Sequence, residues 1–120
     1  HNIMNLEKIE MDLINEVKLS PKEAKTFLLV TLHGKMTPQK IALELGIPND
    51  LATEIVTKLV SQGGFIEISP NEFEAMHPRF TAVNLYRRMC EREKIEFKKN
   101  ILVDNIGVAL EKYYERARTK

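Results

Sequence analysis

Asn49, Asp50, Thr53, Thr57 and Lys58 recur at intervals of one, three and four residues, so one side of a helix can carry them all. Each has a complement on the edge of a DNA base pair. Asparagine pairs with adenine, a carboxylate accepts from the cytosine amino group, and a threonine methyl packs on the thymine methyl. Upstream, Thr37, Gln39 and Lys40 stand where a helix begins, and the free amides of a helix start can hold a phosphate. The awkward feature is sign. Asp50 and Glu54 share the face, and carboxylates oppose the phosphate neutralisation from which non-specific affinity comes.

Other chemistries find less support. His33 and His77 are isolated in the chain, and neither forms a metal-ligand spacing with the single cysteine, Cys90; no metal and no cofactor is expected. Cys90 shares an apolar face with Val83 and Tyr86 and reads as a small buried hydrophobe. No phosphate-cradling glycine loop, nucleophile elbow or paired-carboxylate pocket is present, so an enzyme is not expected. Arg87, Arg88, Arg92, Lys94, Lys98 and Lys99 interleave with Glu91, Glu93 and Glu96, the pattern of a salt-bridged helix face.

The elements that must position these groups are marked by their ends. Ile3, Leu6, Ile9, Leu13 and Val17 predict an amphipathic helix over 3–17. Ser20-Pro21-Lys22-Glu23 has the form of a capping box, opening a helix to about Leu32 that Gly34 ends, with Ala24, Phe27, Leu28 and Leu32 inward. Thr37-Pro38 repeats the signal for a short helix that turns Ile41, Ala42 and Leu45 inward. Gly46-Ile47-Pro48 turns the chain, and Asn49 or Asp50 is expected to cap a third helix with Ala52, Ile55, Val56 and Leu59 inward, stopped by Gly63-Gly64. FIEISPNEFEAM then reads as a hairpin turning at Pro70-Asn71.

Helix, helix, turn, helix, hairpin is the order of a winged helix-turn-helix. The fold expected is mainly α, with a small β-hairpin wing and N- and C-terminal dimerisation helices. Beyond Pro78 a helix is expected from about Thr81, with a break between Lys94 and Asn100 and a last helix striped by Leu102, Ile106, Ala109 or Leu110, and Tyr113. Ile101, Val103, Val108 and Tyr114 lie off that stripe. So broad an apolar surface calls for a second partner, and a symmetric copy is the simplest one. The expected organisation is an N-terminal helix over 1–18, a DNA-binding domain over 19–78 and a dimerisation region over 79–120, with Leu102, Ile106, Leu110 and Tyr113 at the dimer contact.

Composition bounds these readings. The chain has 120 residues, 43% hydrophobic and 29% charged, enough for one domain. Charge is uneven: residues 1–34 carry net −1, residues 35–77 net −3 and residues 78–120 net +5. The cations therefore lie away from the segment with base-reading chemistry. No apolar run approaches a membrane span, and no signal peptide is expected in the acidic opening, where His1 reads as a processing remnant. One cysteine fits a reducing cytoplasm.

Leu19-Ser20 followed by Glu23-Ala24-Lys25 and Phe27, then Ile41-Ala42, Gly46-Ile47-Pro48, Ile55, Leu59 and Gly63, resembles the N-terminal domain of the TrmB-like archaeal transcriptional regulators. The charged helix opened by His77-Pro78 also fits. The resemblance covers roughly residues 19–100. It implies a homodimer that lays its third helix in the major groove of double-stranded DNA and its wing along the backbone. Larger members carry a C-terminal sugar-binding domain; this chain ends at Lys120, so sugar sensing is not carried over and any effector stays unknown. Where the family commonly shows arginines at the start of the third helix this chain has Asn49 and Leu51, and Thr53 stands in place of a common tyrosine. Gly64 reads as an inserted residue beside the expected glycine. The acidic surface supports a second expectation, a winged helix used for protein–protein contact in the transcription apparatus.

Overall fold

A computed structural model describes residues 2–119, and side chains from Leu6 to Thr119. His1 and the inward placement of Ile3 lie outside what is described. The described chain is mainly helical, in the order α1 (Asn2–Glu16), α2 (Pro21–His33), α3 (Pro38–Leu45), α4 (Asn49–Ser61), β1 (Phe65–Ser69), β2 (Glu72–Ala75), α5 (Pro78–Glu93) and α6 (Ile101–Thr119).

The helix ends follow local chemistry. Ser20 Oγ accepts from the Glu23 amide while Glu23 Oε1 accepts from the Ser20 amide, a complete capping box. Thr37 Oγ1 accepts from the Lys40 amide. Gly46 closes α3 in the left-handed region, with φ 66°. Contrary to expectation, neither Asn49 nor Asp50 caps α4. Pro48 takes that position without a side-chain hydrogen bond, because the turn delivers the chain in helical geometry one residue earlier. Asp50 falls inside the first turn, where its charge suits the positive end of the helix dipole. α5 begins at Pro78 rather than Thr81, with the His77 imidazole as its cap.

β1 and β2 pair antiparallel, and the register slips between Glu67 and Ser69, leaving Ile68 as the extra residue of a bulge. Asn71 takes a positive φ of 61° in the turn. Met36, between α2 and α3, exchanges both backbone hydrogen bonds with Phe73 and so adds a single-residue third rung. Phe65 and Phe73 point into the core, whereas Ile66 and Ile68 are exposed.

The core joins all these elements. Phe27 and Phe65 stack within it at 6.1 Å between ring centres, around fully buried Leu13, Ile41, Leu59 and Leu85. α6 lies against α5, α1 and α2 of its own chain. This corrects the reading of its apolar stripe: Ile106, Leu110 and Tyr113 are buried inside the protomer and Leu102 is half-buried. The second partner that the broad surface calls for is the chain's own N-terminal helices. Gly107 permits the α5 crossing, since a Cβ there would stand 2.8 Å from Arg79 Cα. Among the described residues no helix is long and apolar enough to cross a membrane.

Candidate nucleic-acid interface

The α3–turn–α4 unit presents the residues singled out from the sequence. Ala52, Ile55, Val56 and Leu59 turn inward and hold α4 on the core, so the residues between them must face outward. Asn49, Asp50, Thr53, Glu54, Thr57 and Lys58 are all exposed. Gln39 and Lys40 are exposed at the start of α3, and Thr37 is half-buried with its hydroxyl engaged as the cap. One helix surface and the adjoining helix start thus bring the eight expected contact residues into one region.

Of the two lysines among these residues, one is firmly engaged. Lys58 Nζ donates to Glu23 Oε2 at 2.8 Å, and the Glu23 side chain is only 11% exposed. Burial pushes the Glu23 carboxyl up, but the Lys58 hydrogen bond, the Ser20 amide and the Lys58 and Arg92 charges together hold it below its ordinary value. Lys40 stands 3.6 Å from Glu44, an exposed pair too loose to hold the lysine against competition. Gln39 Oε1 accepts from Asn71 Nδ2, tying the tip of the hairpin to the start of α3.

Sequence reasoning missed what flanks α4. At its C-terminal end Gln62 and Gly63 share a shallow cleft with Asn84, Arg87, Arg88 and Glu91 of α5. Asn84 Nδ2 donates to the Gly63 carbonyl and fixes the two helices together. Arg87 and Arg88, part of a run that reads from sequence as a self-paired helix face, are therefore placed beside the residues that follow the C-terminal end of α4. Arg88 reaches Glu91 only at 3.8 Å, and Arg87 lies 4.8 Å from the centre of the Phe97 ring. The hairpin on the other flank carries Glu67, Glu72 and Glu74. Glu67 accepts from the Asn71 amide, Glu72 from Ser69 Oγ, and Glu74 stands 3.6 Å from Arg118.

A second cluster lies on the opposite connection, where β2 runs into α5. The His77 ring sits 3.3 Å from Glu111 Oε2 by its Nε2, while Arg79 donates to Glu111 Oε1 through Nε and Nη2. The Arg79 hydrogen bond holds the Glu111 carboxyl below its ordinary value. Arg118 covers the Tyr114 ring at 3.8 Å and donates to the Ala75 carbonyl, joining the end of α6 to β2. Compared with family models, curated proteins and solved structures, the chain matches none of them, so the resemblance rests on the residues quoted for it.

Proposed function

We propose that the chain is a small homodimeric transcriptional regulator that binds double-stranded DNA. In this reading α2, α3 and α4 with the β1–β2 hairpin form a winged helix, as in the TrmB-like regulators, and α4 is the helix that enters the major groove. One observation carries the reading: α4 has an exposed polar face, and just beyond its C-terminal end Gln62 and Gly63 share a cleft with the exposed Arg87 and Arg88 of α5. Two arginines of the basic last third of the sequence thereby stand near the end of a helix whose own lysine, Lys58, is paired with Glu23. Arginines of α5 would meet phosphates, while Asn49, Thr53 and Thr57 meet base edges. Thr37, Gln39 and Lys40 would approach the backbone from the start of α3.

Two copies would present two α4 helices to successive grooves. With Ile106, Leu110 and Tyr113 consumed within the protomer, the apolar groups that α6 leaves to a second copy are Ile101 and Val108, 63% and 52% exposed.

The test is fluorescence anisotropy with a labelled random duplex across a salt series. Affinity should fall with a log–log slope of about −0.9 per phosphate neutralised. Arg87→Glu with Arg88→Glu should abolish binding. Flat anisotropy at low salt would overturn the proposal. The second reading, a winged helix that binds protein, draws on the pairing of Lys58 with Glu23 and on the three hairpin carboxylates. Flat anisotropy would turn the search to a basic protein partner.

A further inference from the structure

We infer that His77, Glu111 and Glu115 form a binding site for a divalent transition-metal ion of the zinc type, joining the start of α5 to α6. One ligand atom from each residue lies within 4.8 Å of the others, although the histidine is 34 and 38 positions away from the two glutamates in the chain. Glu111 and Glu115 are one helical turn apart on α6, so their carboxylates project from the same side. His77 is set opposite them by the close crossing of the two helices at Gly107.

One of the three spacings is already that of a coordination shell, and the exposed Glu115 side chain would have to close in to complete it. Zinc bonds of roughly 2.0–2.1 Å in tetrahedral geometry place neighbouring ligand atoms about 3.3 Å apart. His77 Nε2 and Glu111 Oε2 are 3.3 Å apart. Imidazole nitrogen with two carboxylates is a borderline donor set, suited to zinc and its neighbours rather than to magnesium or calcium, which take oxygen. Three protein ligands leave a fourth position for water.

The surroundings fit an ion without being built around a charge vacancy. Arg79 takes only Oε1 of Glu111, so Oε2 stays directed at the histidine and the carboxylate can serve both. Glu115 makes no ion pair among the described residues. His77 Nδ1 accepts from the Arg79 amide at 3.2 Å, which puts the proton of the neutral ring on Nε2. For Nε2 to bind a metal, the neutral ring's single proton must move from Nε2 to Nδ1 by exchange with solvent, so the long cap hydrogen bond from the Arg79 amide is given up for the metal bond. His77 follows β2 by two residues, so an ion here would clamp the exit of the hairpin to α6. The site does not depend on whether the chain binds DNA.

Calorimetric titration of the full chain with zinc tests this, with the visible absorption of cobalt(II) as the report on geometry. Saturable one-to-one binding with the intense bands of a tetrahedral cobalt site is expected. Glu115→Gln, at an exposed position, should weaken zinc at least about tenfold, the scale on which even outer partners of a metal act. His77→Asn keeps a side chain able to cap α5 and should weaken it as much. Arg79→Ala, by releasing Glu111 Oε1, should tighten it. Absence of saturable zinc binding would overturn the site, and so would binding that Glu115→Gln and His77→Asn leave unchanged.

Discussion

Lys58 and Glu23, 35 positions apart, meet at 2.8 Å and fasten α4 to the capping box of α2. Glu23 serves both contacts at once, Oε1 accepting from the Ser20 amide and Oε2 from Lys58. A lysine with the right spacing for a phosphate is thus already bound by a mostly buried carboxylate. Lys58→Met should leave Glu23 without its charge partner and lower unfolding stability by about 1–3 kcal/mol. Urea denaturation at neutral pH measures this. DNA affinity of that variant, if the pair is structural, should change less than that of the arginine variants.

The same pair sets a pH dependence. Because the folded state holds Glu23 below its ordinary value of 4.5, the folded state binds that proton less readily than the unfolded chain does. The stabilisation is therefore fully present above 4.5 and is lost as pH falls through the lower, folded value. Denaturation midpoints measured from neutral pH downward should fall in that window, and Glu23→Gln should flatten the fall. An unchanged pH profile in Glu23→Gln would assign the effect to other carboxylates.

Ser20→Ala should cost about 1 kcal/mol, the usual worth of a helix cap. Since Ser20 and Lys58 both act on Glu23, the double variant Ser20→Ala with Lys58→Met should depart from additivity by about 0.5 kcal/mol or more. Strict additivity would mean that the two contacts are independent.

At an exposed helix position, replacing glycine by alanine stabilises by about 1 kcal/mol. Gly107→Ala should do the reverse, costing about 1–3 kcal/mol, because its Cβ would press on Arg79 backbone atoms. Thermal unfolding gives the sign. A rise in midpoint would show that the α5–α6 crossing is looser than 2.8 Å to Arg79 Cα implies.

Leu110→Ala should lower stability by about 2–5 kcal/mol, the cost of a cavity at a wholly buried leucine. The loss should not depend on protein concentration, because the stripe packs within one chain. Val108→Glu should instead leave monomer stability nearly unchanged and dissociate any dimer that forms on the outer face of α6, as read by analytical ultracentrifugation.

The element boundaries were legible in the sequence because they rest on contacts a few residues long. Ser20 with Glu23, Thr37 with Lys40, and Gly46 at the close of α3 need only their neighbours. The break expected between Lys94 and Asn100 is present, and it opens where Lys94 takes the left-handed conformation. The cap of α4 was misplaced by one residue, since Asn49 and Asp50 both have capping chemistry and only the turn geometry chooses between them and Pro48. The exposed face of α4 followed from periodicity, which the buried Ala52, Ile55, Val56 and Leu59 complete.

By itself, the sequence determined which face of each helix is apolar and, to within a few residues, where the helices begin and end, through interactions that span about one turn. Only the tertiary structure decided what covers those faces and which charges meet. The stripe of α6 packs on α1, α2 and α5 rather than waiting for a second copy, because amphipathic periodicity records that a surface must be buried and not what buries it. Lys58 with Glu23, Arg87 and Arg88 beside the end of α4, and His77 against Glu111 and Glu115 are all products of chain crossing. Their partners lie many residues apart, so no local spacing could announce them.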